Sequence, residues 1–377
     1  MAWLDAYATP TELAAWWTRF DDPVLSGLVT QALRANTTLA SARAALRQAR
    51  ALRDVAAAAS FPSLGSSASV QRSTNGLGDS SQSANRFQAG LDANWELDFF
   101  GVNRSAVNAS QATAQASAAS LGDVQVSLAA EVALAYITLR SSQARLAIAV
   151  QNLASQQETL QITQWREQAG LVTNLETEQA RAAAEQTSAA LPTLQVGIAQ
   201  TGYALAVLTG QAPGELVLAD AATSSLTFLE PLPADNLVLA IPAETLRQRP
   251  DVRAAEYQVS AAMARVAQAQ AAHAPNFRLN GTVGLSALTL GALTNSAAVV
   301  STLLGGVSFP VFDGGAASAT VRGQEAAAEQ AQASYQTAVL GALKEVENAL
   351  VALRGDRLRL VRLRNAAAAA ANANTLV

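Results

Sequence analysis

The chain carries one long motif twice. Residues Leu39–Pro62 recur as Val252–Pro275, 213 positions on, and Trp95–Leu146 recur as Phe309–Leu360, 214 positions on. Glu131-Val132 falls on Glu345-Val346, Arg140 on Arg354 and Gly101 on Gly315. Each copy reads helix, strand, strand, helix. Solenoid repeats run to ~20–50 residues, so a period this long is an internal duplication, of a kind that membrane transport folds often carry. The duplication predicts a first repeat over residues 1–210, with a helix at 24–60, a β-hairpin at 62–100 and a long helical hairpin at 103–209. A connecting segment, 211–249, follows. The second repeat, 250–377, has a helix at 250–274, a β-hairpin at 276–312 and a helix at 315–377.

The helices are too long for a globule. From Asn103 to Gln168 there is no proline and one glycine, Gly122. Apolar residues at Leu121, Val124, Leu128, Val132, Ala135, Leu139 and Leu146 keep close to coiled-coil spacing. Val126, Leu134, Ile137 and Ile148 form a second stripe on another face. Unbroken, such a helix is on the order of 100 Å long, where mean helices have ~11–12 residues. Gly170 breaks the pattern, and Thr173-Asn174 with Glu176 reads as a capping box. The chain then runs back through Leu191-Pro192 to about Thr209-Gly210, so residues 170–174 form a hairpin tip. By itself this segment also fits a soluble two-helix coiled coil. In both copies the shorter helix gives way to extended chain at a proline, Pro62 and Pro275, which removes an amide donor and disfavours helix before it.

Between the helices the period changes to two. Phe87, Ala89, Leu91, Ala93, Trp95, Leu97 and Phe99 alternate with Gln88, Gly90, Asp92, Asn94, Glu96 and Asp98. Phe277, Leu279, Gly281, Val283 and Leu285 alternate likewise with polar residues, and Val307, Phe309 and Val311 keep the phase of Ala93, Trp95 and Leu97. A tilted strand of ~9–11 residues spans a bilayer with apolar side chains toward lipid and polar ones toward a lumen. That pattern assigns Phe87, Leu91, Trp95, Leu97, Leu279 and Phe309 to lipid, and Asp92, Asn94, Glu96 and Asp98 to the lumen. Trp95, Phe99, Phe100, Phe309 and Phe312 sit where an interfacial aromatic girdle would be. The other reading is an amphipathic sheet on a soluble core, which leaves the apolar face without obvious cover. Four strands cannot close a barrel, because the smallest membrane barrels have ~8. Several chains must each contribute four.

Composition narrows the class further. Charged residues make up 14% of the 377, against ~25% in an ordinary soluble domain, and the net charge of −4 gives no basic surface for nucleic acid. There is no cysteine for a disulfide, thiolate site or acyl anchor. The lone histidine, His273, makes a metal centre or Ser-His triad untenable. Arg249-Pro-Asp-Val-Arg253 reads as a helix start, with Pro250 in the first turn and Asp251 at the positive dipole end. No catalytic constellation and no cofactor site emerges. No uninterrupted run of ~18 apolar residues exists, which argues against a transmembrane helix. Met1–Pro10 has neither the basic nor the apolar region of a signal peptide.

Several short motifs, in this order and inside a duplication, carry a family resemblance. They are Trp17-Thr-Arg-Phe-Asp-Asp-Pro23 followed by Leu25, Leu28, Ala32-Leu33 and Asn36; Phe61-Pro62 and Pro275; Trp95-Glu-Leu-Asp-Phe-Phe-Gly101; Gly170-Leu-Val-Thr with Leu175-Glu176; Arg249-Pro-Asp-Val-Arg253; and Phe309-Pro-Val-Phe-Asp-Gly-Gly315. Nearly the whole chain resembles the outer-membrane factor family, the TolC-like and NodT-like efflux channels, some of them lipoproteins. The resemblance implies a mainly α fold with a small β part and a homotrimeric α/β-barrel. Each chain would contribute four membrane-spanning β-strands, and long antiparallel helical hairpins would build a periplasmic α-barrel. Residues 211–249 would belong to an equatorial belt. The implied function is that of a passive conduit from periplasm to exterior. Its implied partners are outer-membrane lipid, a periplasmic adaptor (membrane fusion) protein and an inner-membrane pump of the resistance-nodulation-division (RND) type. The tip residues Gly170, Leu171, Val172 and Thr173 would meet the adaptor, and Glu176 and Glu178 are candidate pore or gate residues. A periplasmic coiled-coil adaptor is the alternative function. The second copy has no counterpart of the returning helix after Thr173, so the chain as written is expected to give a leaky or poorly assembled tunnel.

Overall fold

A computed structural model describes residues 15–75, 82–216 and 248–375. In chain order they form a 3-10 turn (Trp16–Phe20), α1 (Pro23–Ala35), α2 (Thr37–Ala58), β1 (Ser63–Asn75), β2 (Gln82–Leu97), α3 (Val102–Gln168) and α4 (Asn174–Leu208). After them come α5 (Pro250–Ala271), β3 (Asn276–Ala287), β4 (Val299–Ser308) and α6 (Ala316–Thr375), with short 3-10 turns at Leu290–Thr294 and Ser296–Ala298. The fold is mainly α with one small antiparallel sheet. Of the segment 211–249 assigned to an equatorial belt, only 211–216 and 248–249 are described. The rest, like Met1–Pro10, lies outside the described residues. The chain divides into two compact units, one from Met1–Ala44 and Leu121–Pro242, the other from Ala45–Ser120 and Ala243–Val377. This division cuts across the sequence repeats, because α2 and α3 each run from one unit into the other.

The first unit is organised by polar groups at helix ends. The Asp22 carboxylate caps α1, accepting from the amides of Val24 (2.8 Å) and Leu25 (3.1 Å), with Pro23 as the first helical residue. Its other oxygen accepts the Tyr136 hydroxyl at 2.6 Å, and Arg140 Nε donates to that hydroxyl at 3.1 Å. Burial and then the hydrogen bond to Asp22 push the Tyr136 phenol above its ordinary pKa. Around this chain pack Leu25, Leu28, Val29, Ala32 and Leu39 against Leu128, Ala129, Val132, Ala133, Tyr136, Leu139 and Leu205. Leu205, near the end of α4, thus meets the middle of α3, so the two helices run antiparallel. The burial follows the first of the two stripes seen in α3. The second stays open, with Val126, Leu134 and Ile148 each more than half exposed.

The single helix expected at 24–60 is two helices. Asn36 breaks it with an extended backbone (φ −63°, ψ 131°), and its amide closes α1 on the Ala32 carbonyl. Its side chain then caps α2 by accepting from the Leu39 amide (3.1 Å) and donates to the Leu208 carbonyl (2.9 Å) at the end of α4. In a sequence, asparagine inside an apolar periodicity looks like a tolerated polar residue. Here the backbone and side-chain amides of one residue together serve three helix ends.

In the second unit Arg249, the counterpart of Asn36 in the duplication, has the same backbone angles and precedes α5. Its guanidinium pairs with Asp251 (2.9 Å) and with Glu345 on α6 (2.7 Å). Arg249 holds the Asp251 carboxyl below the usual range. The helix expected at 250–274 ends at Ala271, a turn before Pro275.

Alanine raises the mean hydropathy of one 18-residue stretch of α3 to 1.2. By length and composition alone that stretch could cross a bilayer, although no uninterrupted apolar run exists. In the fold the apolar stripe of α3 is instead taken up by the cluster around Tyr136.

Asn36→Ala removes a helix cap and orphans the Leu208 carbonyl. It should cost about 2–4 kcal/mol, a cap of ~1 and a lost buried partner of ~1–3. Guanidinium unfolding followed by circular dichroism checks this, and a midpoint unchanged from the parent would contradict it.

Candidate functional site

The four strands pair antiparallel in the order β1-β2-β3-β4. Register places side chains in rows across the sheet. Leu64–Ala93–Gly281–Leu303 and Val70–Phe87–Ala287 lie on one face, with Leu91, Val283, Leu285, Val299 and Val307 on the same side. Ser67, Gln71, Gln88, Asp92, Asn94, Glu96, Arg278, Asn280 and Thr282 share the other. The apolar face is bare: Leu64, Val70, Leu303 and Val307 are all more than 60% exposed. A soluble sheet would cover such a face. The apolar run on β2 extends from Phe87 to Leu97. At ~3.3 Å per residue and a tilt of ~40° this rises about 25 Å, the height of the apolar band of a membrane barrel. Beyond Val70 the same face turns polar at Arg72 and Asn85, which ends the band.

Polar residues on this face are linked across strands. Glu96 stands directly opposite Arg278, 3.6 Å away, and Ser67 Oγ donates to Asp92 at 2.7 Å. Gly90 and Gly284 are paired on this face. A Cβ on Gly284 would lie 2.6 Å from the Ala89 carbonyl oxygen and 2.8 Å from the Gly90 Cα, so the strands close up on the polar side.

Two sequence assignments are corrected here. Asp98 lies outside β2, which ends at Leu97, and does not extend the polar row. Its carboxylate instead caps α3, accepting from the amides of Asn103 (3.1 Å) and Arg104 (2.8 Å). Asp313 does the same for α6 through Gly315 (2.8 Å) and Ala317 (2.7 Å), and these bonds hold its carboxyl below the ordinary range. The two aspartates are one position out of step in the duplication, yet cap matching helix starts. Phe309 likewise falls just past β4, which ends at Ser308. Trp95 and Leu97 lie on the apolar face at its helix-proximal end, where the Trp95 indole donates to the Ser60 carbonyl at 3.1 Å. Phe277, absent from the expected girdle, stacks edge-on with Phe99 at 5.0 Å. Its partnership follows from register, which the periodicity alone does not fix.

The hairpin tip is fully capped. Leu171 N donates to the Arg166 carbonyl and Gly170 N to the Glu167 carbonyl, both at 2.8 Å, with Gly170 at φ 71°. This is a Schellman closure that needs a left-handed residue. On the other side Thr173 and Glu176 form the expected capping box, the Thr173 amide donating to Glu176 at 2.9 Å. The Glu176 carboxylate is thus engaged in the cap, and Glu178 pairs with Arg181 at 3.4 Å. Leu171 is 70% exposed and Val172 half-buried. Beside these caps Leu171 stands out as an apolar knob.

The chain is similar to known proteins over nearly its whole length. A model of outer membrane efflux proteins matches residues 28–211 and again 241–376. The chain belongs to the outer membrane efflux protein family. The pyoverdine export outer membrane protein OpmQ of Pseudomonas putida is 33% identical over 354 residues, covering 91% of this chain and 74% of its own. The cation efflux system protein CusC of Escherichia coli is 30% identical over 337 residues, covering 89% and 72%. The solved structure of the outer-membrane channel OprN superposes with a TM-score of 0.86 at 38% identity, over 92% of this chain and 78% of its own. This family member is the outer-membrane channel of a tripartite efflux system, seated in the outer membrane and extending into the periplasm. Its family and relatives are channel proteins rather than enzymes. Nothing among them supports the periplasmic adaptor reading of the long helices.

The neighbouring side chains of Thr177 and then Asn174, the latter donating to it at 3.1 Å, hold the Glu167 carboxyl below the ordinary carboxylate range. A depressed folded pKa adds order above the unfolded value, and that order is lost as pH falls through the folded one. Protection of the amides at residues 169–176, measured relative to intrinsic exchange, should therefore fall as the pH drops below the ordinary carboxyl value of 4.5, and less so in Glu167→Gln. Equal loss of protection in both proteins would remove Glu167 from the account.

Proposed function

We propose that three copies of this chain close one twelve-stranded barrel, with the polar sheet face lining the lumen and the apolar face against lipid. The observation that carries this is the pair of open edges. Among the described residues the outer edges of β1 and β4 have no strand partner. In hydrocarbon each unpaired backbone group costs several kcal/mol, so an open four-stranded sheet does not persist there. The β4 edge of one copy on the β1 edge of the next is a heterologous contact, and such contacts form rings when the rotation closes. Three copies is the number carried by the resemblance to TolC-like channels.

In this arrangement Phe87, Leu91, Trp95, Leu97 and Leu279 face lipid, and Asp92, Asn94 and Glu96 face water. Gly170, Leu171, Val172 and Thr173 meet a periplasmic adaptor, and that adaptor joins the channel to an inner-membrane pump of the RND type. Leu171 supports this contact, since exposing it has no benefit in the folded chain. Glu176 and Glu178 act at the tip through its shape, because both carboxylates already have partners there. Cargo is chosen by the pump. Pyoverdine and cations, named for two relatives, pass through channels of this fold, and an open conduit needs no pocket for either.

The chain has no cysteine, so labelling and cross-linking start from a clean background. Cysteines scanned along β1 and β4 should give disulfide-linked species up to a trimer, and a ladder that stops at the dimer would reject the ring. Leu91→Arg near the midplane should weaken assembly by ~2–4 kcal/mol. A water-soluble maleimide that labels position 91 strongly and 92 not at all would reverse the face assignment. A Leu171→Asp, Val172→Asp double substitution should abolish efflux at normal trimer yield, and unchanged drug resistance would separate the tip from the adaptor.

A further inference from the structure

We infer that the apolar face of the sheet seats one molecule of lipid A, the phosphorylated glycolipid of the outer leaflet, with a notch at Gly281 for an acyl chain and Arg72 for a phosphate. The inference rests on the barrel reading above. The row Leu64–Ala93–Gly281–Leu303 is large at both ends and small in the middle, and Leu91 and Val283 stand on the next row toward the loop end. Together they surround a notch of about 410 Å³. The two glycines of β3 are there for different reasons. Gly284 has no room for a side chain. At Gly281 a Cβ would meet only Leu303 Cδ1 at 3.8 Å and Ala93 Cβ at 3.9 Å, which are ordinary contacts, and its φ is not positive. A strand glycine that neither crowding nor backbone conformation requires marks a place where a ligand can approach closely.

Register sets the polar end of the seat. Arg72 lies on the same face as the notch, opposite Asn85, toward the loop end. It is exposed, and among the described residues no carboxylate shares its row or the adjoining row Val70–Phe87–Ala287. The helices extend into the periplasm, so the loop end is the exterior end, and Arg72 stands at the level of the outer-leaflet headgroups. A cation at that level pairs with lipid phosphate. From the Phe87 row to the Ala93 row the strand descends about 15 Å, at ~3.3 Å per residue and a tilt of ~40°. One leaflet's share of a ~30 Å hydrocarbon core is also ~15 Å, so a chain whose headgroup sits at Arg72 reaches the notch. A lipid of the inner leaflet would enter from the opposite end, where the rows Trp95–Leu279–Gly305 and Leu97–Phe277–Val307 offer no cation.

The test is lipid retention by purified channels in native mass spectrometry, after incubation with lipid A, dephosphorylated lipid A or phosphatidylglycerol. The unaltered protein should retain up to one lipid A per chain and hold the dephosphorylated form more weakly. Arg72→Gln should weaken lipid A retention roughly fivefold and leave the dephosphorylated form unaffected. Gly281→Leu fills the notch without a backbone clash and should weaken retention of both forms. Unchanged retention in both variants, from channels that assemble and conduct, would overturn the seat and leave the barrel intact. Phosphatidylglycerol held as tightly as lipid A would overturn the choice of ligand. Trp95 is the one tryptophan in the four strands and lies on the row beside the notch. No quenching of its fluorescence by chain-brominated lipid in vesicles would overturn the lipid-facing placement on which both readings depend.

Discussion

A β-sheet with two open edges and one bare apolar face cannot persist in water or in lipid as a single copy. The backbone groups along the outer edges of β1 and β4 need partners, and Leu64, Val70, Leu303 and Val307 need a non-aqueous surface. Both demands are met by one solution, a closed ring of sheets in a bilayer. The long helices depend on the same solution. Each strand pair passes into a helix at a fixed point, and aspartates Asp98 and Asp313 cap α3 and α6 where they begin. Membrane helices are replaced in this design by strands, and the helices are left free to build a water-facing wall.

The helices are held by polar links at their ends as well as by the apolar cluster around Tyr136. Alanine-rich helices bury little area per residue, so the polar links between ends matter. Asn36 joins three helix termini, and the Asp22–Tyr136–Arg140 chain ties the start of α1 to the middle of α3. In the second copy the place of Asn36 is taken by Arg249, which reaches Asp251 and Glu345 through charge. The duplication thus preserves backbone conformation at the break while changing the chemistry that holds it. A second stripe, with Val126, Leu134 and Ile148, stays exposed on the chain.

The tip of the hairpin is ordered by its own hydrogen bonds. A Schellman closure on one side and a capping box on the other satisfy the terminal amides and carbonyls locally. No rearrangement is then required to present Leu171. In the proposed contact an adaptor would meet an ordered apolar knob, with little conformational entropy left to lose.

The sequence by itself determined the duplication, the helix and strand periods, the hairpin tip with its capping box, and the two opposed faces of β2. These are local or repetitive properties, governed by residue spacing along one chain. It did not determine that Asn36 splits the first helix, because a capping asparagine and a tolerated one look alike until the Leu208 carbonyl is brought beside it. It placed Asp98 and Phe309 in strands because alternation continues past the point where pairing stops, and pairing is a property of two strands. Register was likewise invisible, and with it the Glu96–Arg278 pair and the Gly90–Gly284 approach. Those features join residues nearly two hundred positions apart. Only the folded sheet fixes which of them stand side by side, because a shift of one residue would turn every side chain to the other face.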